Sequence, residues 1–319
     1  MSPLEAAVAV KQHAGEMGWS EVGIARADTL VLESQRLREW LNSGYQGSMH
    51  WMNKEPEKRS DPRLVLPGAE SVIVLAQNYF TPHHHHTQSG IGKVSRYAWG
   101  DDYHEILDEK SQELSTWMQQ TFPEHTSKFY VDTGPVMEKA WAQRAGIGWI
   151  GKHTNVITPT FGSWVFLSVI ITNLPLEPDA PATDHCGTCT LCIDACPTDA
   201  IMKPYVLDSN RCISYLTIEH RQDISEELSS HFEGWVYGCD ICQDVCPWNK
   251  KFSVPTEEQR FEPRPWNISP KLREWQEMTA EEFQNRFRRS PIKRTKLDGV
   301  RRNADVILKN QQKPNEHLS

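Results

Sequence analysis

Apolar positions in the first 175 residues alternate between helical and strand periods. Residues 4–18 (LEAAVAVKQHAGEMG) carry apolar side chains at helical spacing, whereas EVGIA at 21–25 reads as a short strand. Residues 33–43 return to the helical pattern. SVIVLAQNYF at 71–80 is a β-branched run bounded by Pro67-Gly68 and Pro82, and it predicts a buried strand. A helix is predicted over 101–120, and strands over 127–132 (SKFYVD) and 164–172 (WVFLSVIIT). Pro135 suits the first turn of a helix running to about Arg144, with Asp132 or Thr133 as its cap. Mixed helices and strands predict an α/β domain over residues 1–175.

LPLEPDAPATDH at 174–185 is rich in proline and acids and reads as a linker. It opens a cysteine-rich domain, 176–255. Residues 256–319 read as a charged helical extension, with helices near 279–289 and 296–309 and a frayed last ten residues. The fold class expected is α+β. No apolar run approaches the roughly 18 residues that cross a bilayer. The opening MSPLEAAVAVKQ lacks the basic start of a signal peptide, so the expected location is the cytoplasm and no membrane partner is expected. Thiols stay reduced there, which makes the eight cysteines metal ligands rather than disulfides. The net charge of −8 argues against a uniformly basic surface but allows a local one. His83 to His86 form a run that reads as a solvated loop, with divalent metal binding as the alternative.

Cysteine spacing carries the strongest chemistry. Cys186-x2-Cys189-x2-Cys192-x3-Cys196-Pro197 is the bacterial ferredoxin run, in which three closely spaced thiolates hold one [4Fe–4S] cluster and the fourth reaches another. Cys239-x2-Cys242-x3-Cys246-Pro247 matches the tail of a second run, with Val236 where its first cysteine would stand. Cys212 lies upstream and completes the count. Cluster one then takes Cys186, Cys189, Cys192 and Cys246, and cluster two takes Cys196, Cys212, Cys239 and Cys242. Four-thiolate zinc is the competing reading, but zinc needs neither the third x2 spacing nor two Cys-Pro endings.

Two other motifs fail. Gly146-Ile-Gly148-Trp-Ile-Gly151 has a helix before it and a strand after it, the reverse of a dinucleotide fingerprint. Asp102-Tyr-His104 begins like a D-x-H-x-x-G cobalamin signature, but Leu107 occupies the glycine position, so His104 reads as a surface or packing histidine.

With its cysteine framework, the chain resembles the epoxyqueuosine reductases, cobalamin-dependent iron–sulfur enzymes of tRNA queuosine synthesis. The resemblance rests on EKRSDPRLVLPGAESVI (57–73), SRYAWGDDYHE (95–105), VDTGPVMEKAWAQRAGIGWIGKHTN (131–155), RCISYLTIE (211–219) and YGCDICQDVCPWNK (237–250). It implies a nitroreductase-like α/β cobalamin-binding domain followed by a ferredoxin-like module with two [4Fe–4S] clusters. It also implies reduction of a tRNA wobble epoxide to an alkene, a chemistry for which side chains lack a strong enough reductive nucleophile. Asp132 matches the family's proton donor, with a raised pKa expected of such an acid. By the same resemblance Arg59, Ser95, Asp132, Lys152, Asn155, Ser214 and Asp240 contact the corrin.

Implied partners are tRNA and a small electron-donor protein of flavodoxin or ferredoxin type, acting on a monomer. The basic stretch 287–303, with Arg288, Arg289, Lys293, Arg294, Lys296, Arg301 and Arg302, is the expected tRNA surface. Tyr97, Trp99 and Tyr237 are candidates for stacking on bases. Two alternatives stay open: a reductive dehalogenase, separated by turnover of modified tRNA, and a plain two-cluster electron carrier, separated by cobalamin retention.

Overall fold

The computed structural model describes residues 1–312. Ten strands occur among them: β1 (Glu21–Arg26), β2 (Ser71–Asn78), β3 (Lys93–Val94), β4 (Ser127–Tyr130), β5 (Trp149–Ile150), β6 (Val156–Ile157), β7 (Val165–Thr172), β8 (Ile201–Lys203), β9 (Val206–Leu207) and β10 (Trp235–Tyr237). An antiparallel sheet in the order β1-β2-β7-β4 forms the frame of the first half. All eight residues of β2 are buried, which explains why that run shows no polar alternation. Its side chains divide by parity. Ile73 and Leu75 meet the helices Pro3–Glu16 and Tyr103–Thr121 through Val10, Leu107 and Leu114. Val72 and Val74 meet the helix Glu138–Arg144 through Trp141 on the other face. On that second face Gly23 lets the helix end approach, since a Cβ there would stand 2.1 Å from the Ala145 carbonyl oxygen.

The expected strands and long helices are present within a few residues. One helix start is corrected. The helix after Pro135 begins only at Glu138, and neither Asp132 nor Thr133 caps it. Asp132 instead has φ +57°, and Thr133 N–H donates to Val131 O at 2.6 Å, so Asp132 is the centre of a tight γ-turn. The proline-rich linker is not free chain. Leu176 is buried, Asp179 accepts from Ile24 N at 2.8 Å, and Lys11 pairs with Asp179 at 2.5 Å.

The charged C-terminal stretch holds a core. Leu272, Trp275, Phe283, Phe287 and Ile292 pack with Val94, Trp99, Phe232 and Tyr237. The helix Lys296–Gln312 buries Val300, Ala304, Ile307 and Leu308, an amphipathic stripe beneath its charges. Of the ten residues expected to fray, 310–312 belong to that helix, and 313–319 lie outside the described residues. Parallel pairing of β3 with β10 stitches the cysteine region to the N-terminal half. Among the described residues no helix is long and apolar enough to cross a membrane.

Gly23→Ala should lower stability by about 1–3 kcal/mol, because the added methyl forces strand and helix apart. Urea unfolding followed by tryptophan fluorescence reads this. An unchanged midpoint would show that the Ala145 carbonyl yields freely.

Candidate functional site

A cavity of about 470 Å³ opens between the sheet and the cysteine region. Tyr97, Tyr103, Asp132 and Phe166 wall one side, and Ser214, Tyr215 and Glu219 wall another. Cys196, Cys212, Cys239 and Cys242 all line it, whereas Cys186, Cys189, Cys192 and Cys246 do not. The second expected cysteine set therefore shares one space with the candidate acid.

Asp132 reaches the cavity from its γ-turn. Its Oδ2 accepts from the Tyr103 hydroxyl at 2.8 Å and stands 3.6 Å from His104 Nε2. Its Oδ1 has no hydrogen-bond partner among the described residues. His104, read from sequence as a surface or packing residue, sits between two carboxylates, with Nδ1 2.8 Å from Asp102 Oδ1. The raised carboxyl pKa expected of Asp132 is corrected: the neighbouring His104 imidazole, against the opposing effect of burial, holds it below its ordinary value. Burial disfavours a charged His104, but Asp102 and Asp132 outweigh it and lift the imidazole to about 9.

Four of the seven residues expected at the corrin line the cavity: Ser95, Asp132, Asn155 and Ser214. Three do not. Lys152 is buried and donates to the carbonyls of Gly187 (2.7 Å) and Cys189 (2.8 Å), so its charge serves the first cysteine loop. Arg59 donates to Trp51 O at 3.2 Å. Asp240 lies fully buried behind the wall, where it accepts from Ser95 Oγ and from Arg96 N at 2.7 Å. Lys139 went unread in the sequence. It lines the cavity and donates to Asn155 Oδ1 at 2.8 Å and Thr154 O at 3.1 Å.

All eight cysteines are free thiols. Burial, then neighbouring Cys186, Cys246 and Cys189, push the Cys192 thiol up to about 11. Burial also raises Cys242, followed by Cys212, Cys192 and Cys196, and it raises Cys239, followed by Cys242. The electrostatic neighbours thus assort almost entirely into the two sets read from spacing. Ala200 N–H donates to Cys196 Sγ at 3.3 Å. Among the described residues no three His, Cys, Asp or Glu side chains converge on a point fit for one metal ion. Sulfurs around a cubane stand farther apart than sulfurs around a single ion, because each binds a different iron.

The histidine run is not wholly solvated: His85 packs edge-on to Trp99 and Trp235, its Nε2 is 2.8 Å from Val94 O, and burial pushes it down to about 4. Of the stacking candidates, Trp99 and Tyr237 are core residues and only Tyr97 lines the cavity. Trp51 is instead exposed, with the Arg294 guanidinium 5.2 Å above its ring. Much of the basic stretch is committed. Arg289 pairs with Glu105, Arg294 with Glu219, and Arg301 and Arg302 donate to backbone carbonyls. Arg288, Lys293 and Lys296 are exposed and have no ion-pair partner among the described residues.

A family model described as a 4Fe-4S double cluster binding domain matches residues 185–249, and one described as epoxyqueuosine reductase QueG matches 59–133. An epoxyqueuosine reductase of Synechocystis is 48 % identical over 276 residues, 86 % of this chain and 95 % of that protein. One of Atelocyanobacterium thalassa is 48 % identical over 302 residues, 94 % and 98 %. A crystal structure of an epoxyqueuosine reductase with an epoxyqueuosine-modified tyrosine-tRNA stem loop superposes with a TM-score of 0.90 at 33 % identity, covering 96 % of this chain and 82 % of that one.

Lys152→Met should loosen the first cysteine loop and lower iron retention, while leaving the cavity wall intact. Iron content after gel filtration checks this. Full iron retention would show that the two carbonyl contacts are dispensable.

Proposed function

The chain belongs to the epoxyqueuosine reductase family, and on that premise we propose that it reduces epoxyqueuosine at the tRNA wobble position to queuosine. The observation that carries the reading is one cavity with the Asp132 carboxylate on one wall and four cysteines on another. The reduction takes up two electrons and two protons and releases water.

The residues present fit two clusters and a corrin. Seven of the eight thiols are buried or half-buried, burial and neighbouring cysteines hold Cys192 and Cys242 against ionisation, and cationic iron relieves that conflict. Cys186, Cys189, Cys192 and Cys246 would hold one [4Fe–4S] cluster, and Cys196, Cys212, Cys239 and Cys242 the other, beside the cavity. Ser214 and Asn155 present neutral hydrogen-bonding groups suited to corrin amides, and the buried Nε2 of cavity-lining His153 has no partner among the described residues. Cobalamin, when bound, supplies the two-electron nucleophile that opens the epoxide. Asp132 then donates a proton to the released oxygen. Electrons come from a flavodoxin- or ferredoxin-type donor to a cytoplasmic monomer. A nitroreductase-like origin of the antiparallel sheet fits this reading.

tRNA contact falls to the uncommitted cations Arg288, Lys293 and Lys296, with the Trp51–Arg294 pair as a stacking surface.

Turnover of epoxyqueuosine-containing tRNA by anaerobically reconstituted protein tests the activity. Asp132→Asn should retain corrin and clusters but lose roughly 10²-fold or more in rate. Normal turnover would place the acid elsewhere. Replacing Arg288, Lys293 and Lys296 by Ala should weaken tRNA binding and flatten its salt dependence by up to about 0.9 in log–log slope for each phosphate no longer neutralised. An unchanged slope across a salt series would move the tRNA surface away from this stretch.

A further inference from the structure

Asp132 is poorly placed to keep a proton at rest. Its Oδ2 faces two donors, Tyr103 Oη and His104 Nε2, and both favour the carboxylate. The proposed reduction takes up two protons, so a single carboxylic acid must be reloaded within each turnover.

The surroundings of His104 answer that need. It is the second residue of the helix Tyr103–Thr121, and Asp102 is the cap. Asp102 Oδ1 accepts from His104 N at 3.1 Å and lies 2.8 Å from His104 Nδ1, which fixes the ring at one end. The other end points at Asp132. Tyr103 stacks on His104 at 4.0 Å and on Phe166 at 4.2 Å, which limits ring motion. A histidine that only packed would not need a carboxylate at each nitrogen. Asp108, on the same helix, adds a further acid. Lys139 and Arg294 are the cations that act on Asp132 from other walls.

We infer that His104 is the proton reservoir of Asp132, with Asp102 holding the imidazolium and Nε2 passing its proton to the Asp132 carboxylate. This rests on the reading of Asp132 as the acid. One N–H bond breaks at His104, and one O–H bond forms on the oxygen of the opened epoxide. Asp132 begins and ends as carboxylate, and neutral His104 is recharged from water. No electrons pass through the relay; the pair that opens the ring would come from a bound corrin. His104 acts through Asp132 and is a positioning residue. The 3.6 Å gap is of the kind that tightens when substrate binds. Because the imidazole titrates at about 9, the pair holds its proton at neutral pH and loses it as pH rises through that value.

The test uses reconstituted holoprotein in single turnover across pH. In the parent protein the rate should hold through neutral pH and fall only near 9. In His104→Gln, Asp132 must carry its own proton. The falling limb should move toward the ordinary carboxylate range, about 4, with roughly 10²-fold lower rate at neutral pH and a narrowing gap in acid. Asp102→Asn should shift the limb the same way by less. An unshifted limb with an unchanged neutral rate in His104→Gln, at matched iron and corrin content, overturns the inference. A second measurement needs no turnover. Long-range 1H–15N spectra of histidine-labelled protein with oxidised clusters should show His104 titrating near 9, and lower in Asp132→Asn. A parent midpoint near the ordinary histidine value of about 6.5 overturns the inference without any variant. Normal turnover by Asp132→Asn defeats the acid reading and this inference with it. A dead Asp132→Asn beside a parent-like His104→Gln profile defeats the reservoir alone.

Discussion

Eight thiols from three separate stretches of chain have to converge, and no local backbone preference brings them together. The short helices Leu191–Asp194 and Ile241–Asp244 aim their own cysteines, but Cys212 and the second motif must be carried in by the tertiary structure. A buried polar network does part of this. Asn249 accepts from Ser163 N at 2.6 Å and donates to Ser163 Oγ and Gln243 O, each at 2.8 Å, while Gln243 donates to Ser163 O at 3.0 Å. Every member is satisfied, which makes such a network specify one arrangement. It fixes the Cys239–Cys246 turn against the residues that lead into β7, the strand next to the sheet centre. The approach is close enough that a Cβ on Gly162 would stand 2.2 Å from Asn249 Oδ1.

That anchoring sets the cavity. Once the second motif is held against the sheet, the γ-turn after β4 faces it across open space, and opposite charges gather between. Asp132 feels two cations, His104 and Lys139. Each shifts its neighbours: Lys139 is depressed chiefly by burial and partly restored by Asp132 and Glu138, whereas Asp132 is kept ionised chiefly by His104. The positive φ of Asp132 is a backbone cost met at the point where chemistry is proposed, in line with strain gathering at functional sites.

The sheet is legible in the sequence because β2 and β7 are long, β-branched and buried, and period and composition agree there. The double-cluster domain is legible because cluster geometry dictates cysteine spacing. The γ-turn is not. VDTGP satisfies both a helix-start pattern and a tight turn, and only the tertiary contacts of Tyr103 and His104 decide between them. His104 misleads for a related reason: a motif test asks about neighbours in sequence, while its second carboxylate comes from a residue 28 positions away. Lys152 is expected at the corrin by resemblance, and only the tertiary structure shows that its length lets it span two loop carbonyls. The strands β3 and β10 are too short to leave a periodic signal, and they pair only because the C-terminal core forms around them.

The basic stretch shows how charge density differs from available charge. Seven cations crowd residues 288–302, but an arginine has a planar fork that fits carboxylates and carbonyl pairs, and four of the five arginines are spent that way. Arg302 alone gathers the carbonyls of Leu216, His220 and Gln222, which ties the end of the helix Ile213–Ile218 to the segment that follows it. The lysines, whose ammonium groups stay in solvent, are left free with Arg288. The charge available on this face is therefore less than its sequence suggests. The exposed ring of Trp51 under Arg294 sets an aromatic group beside this stretch that no reading of charge would find.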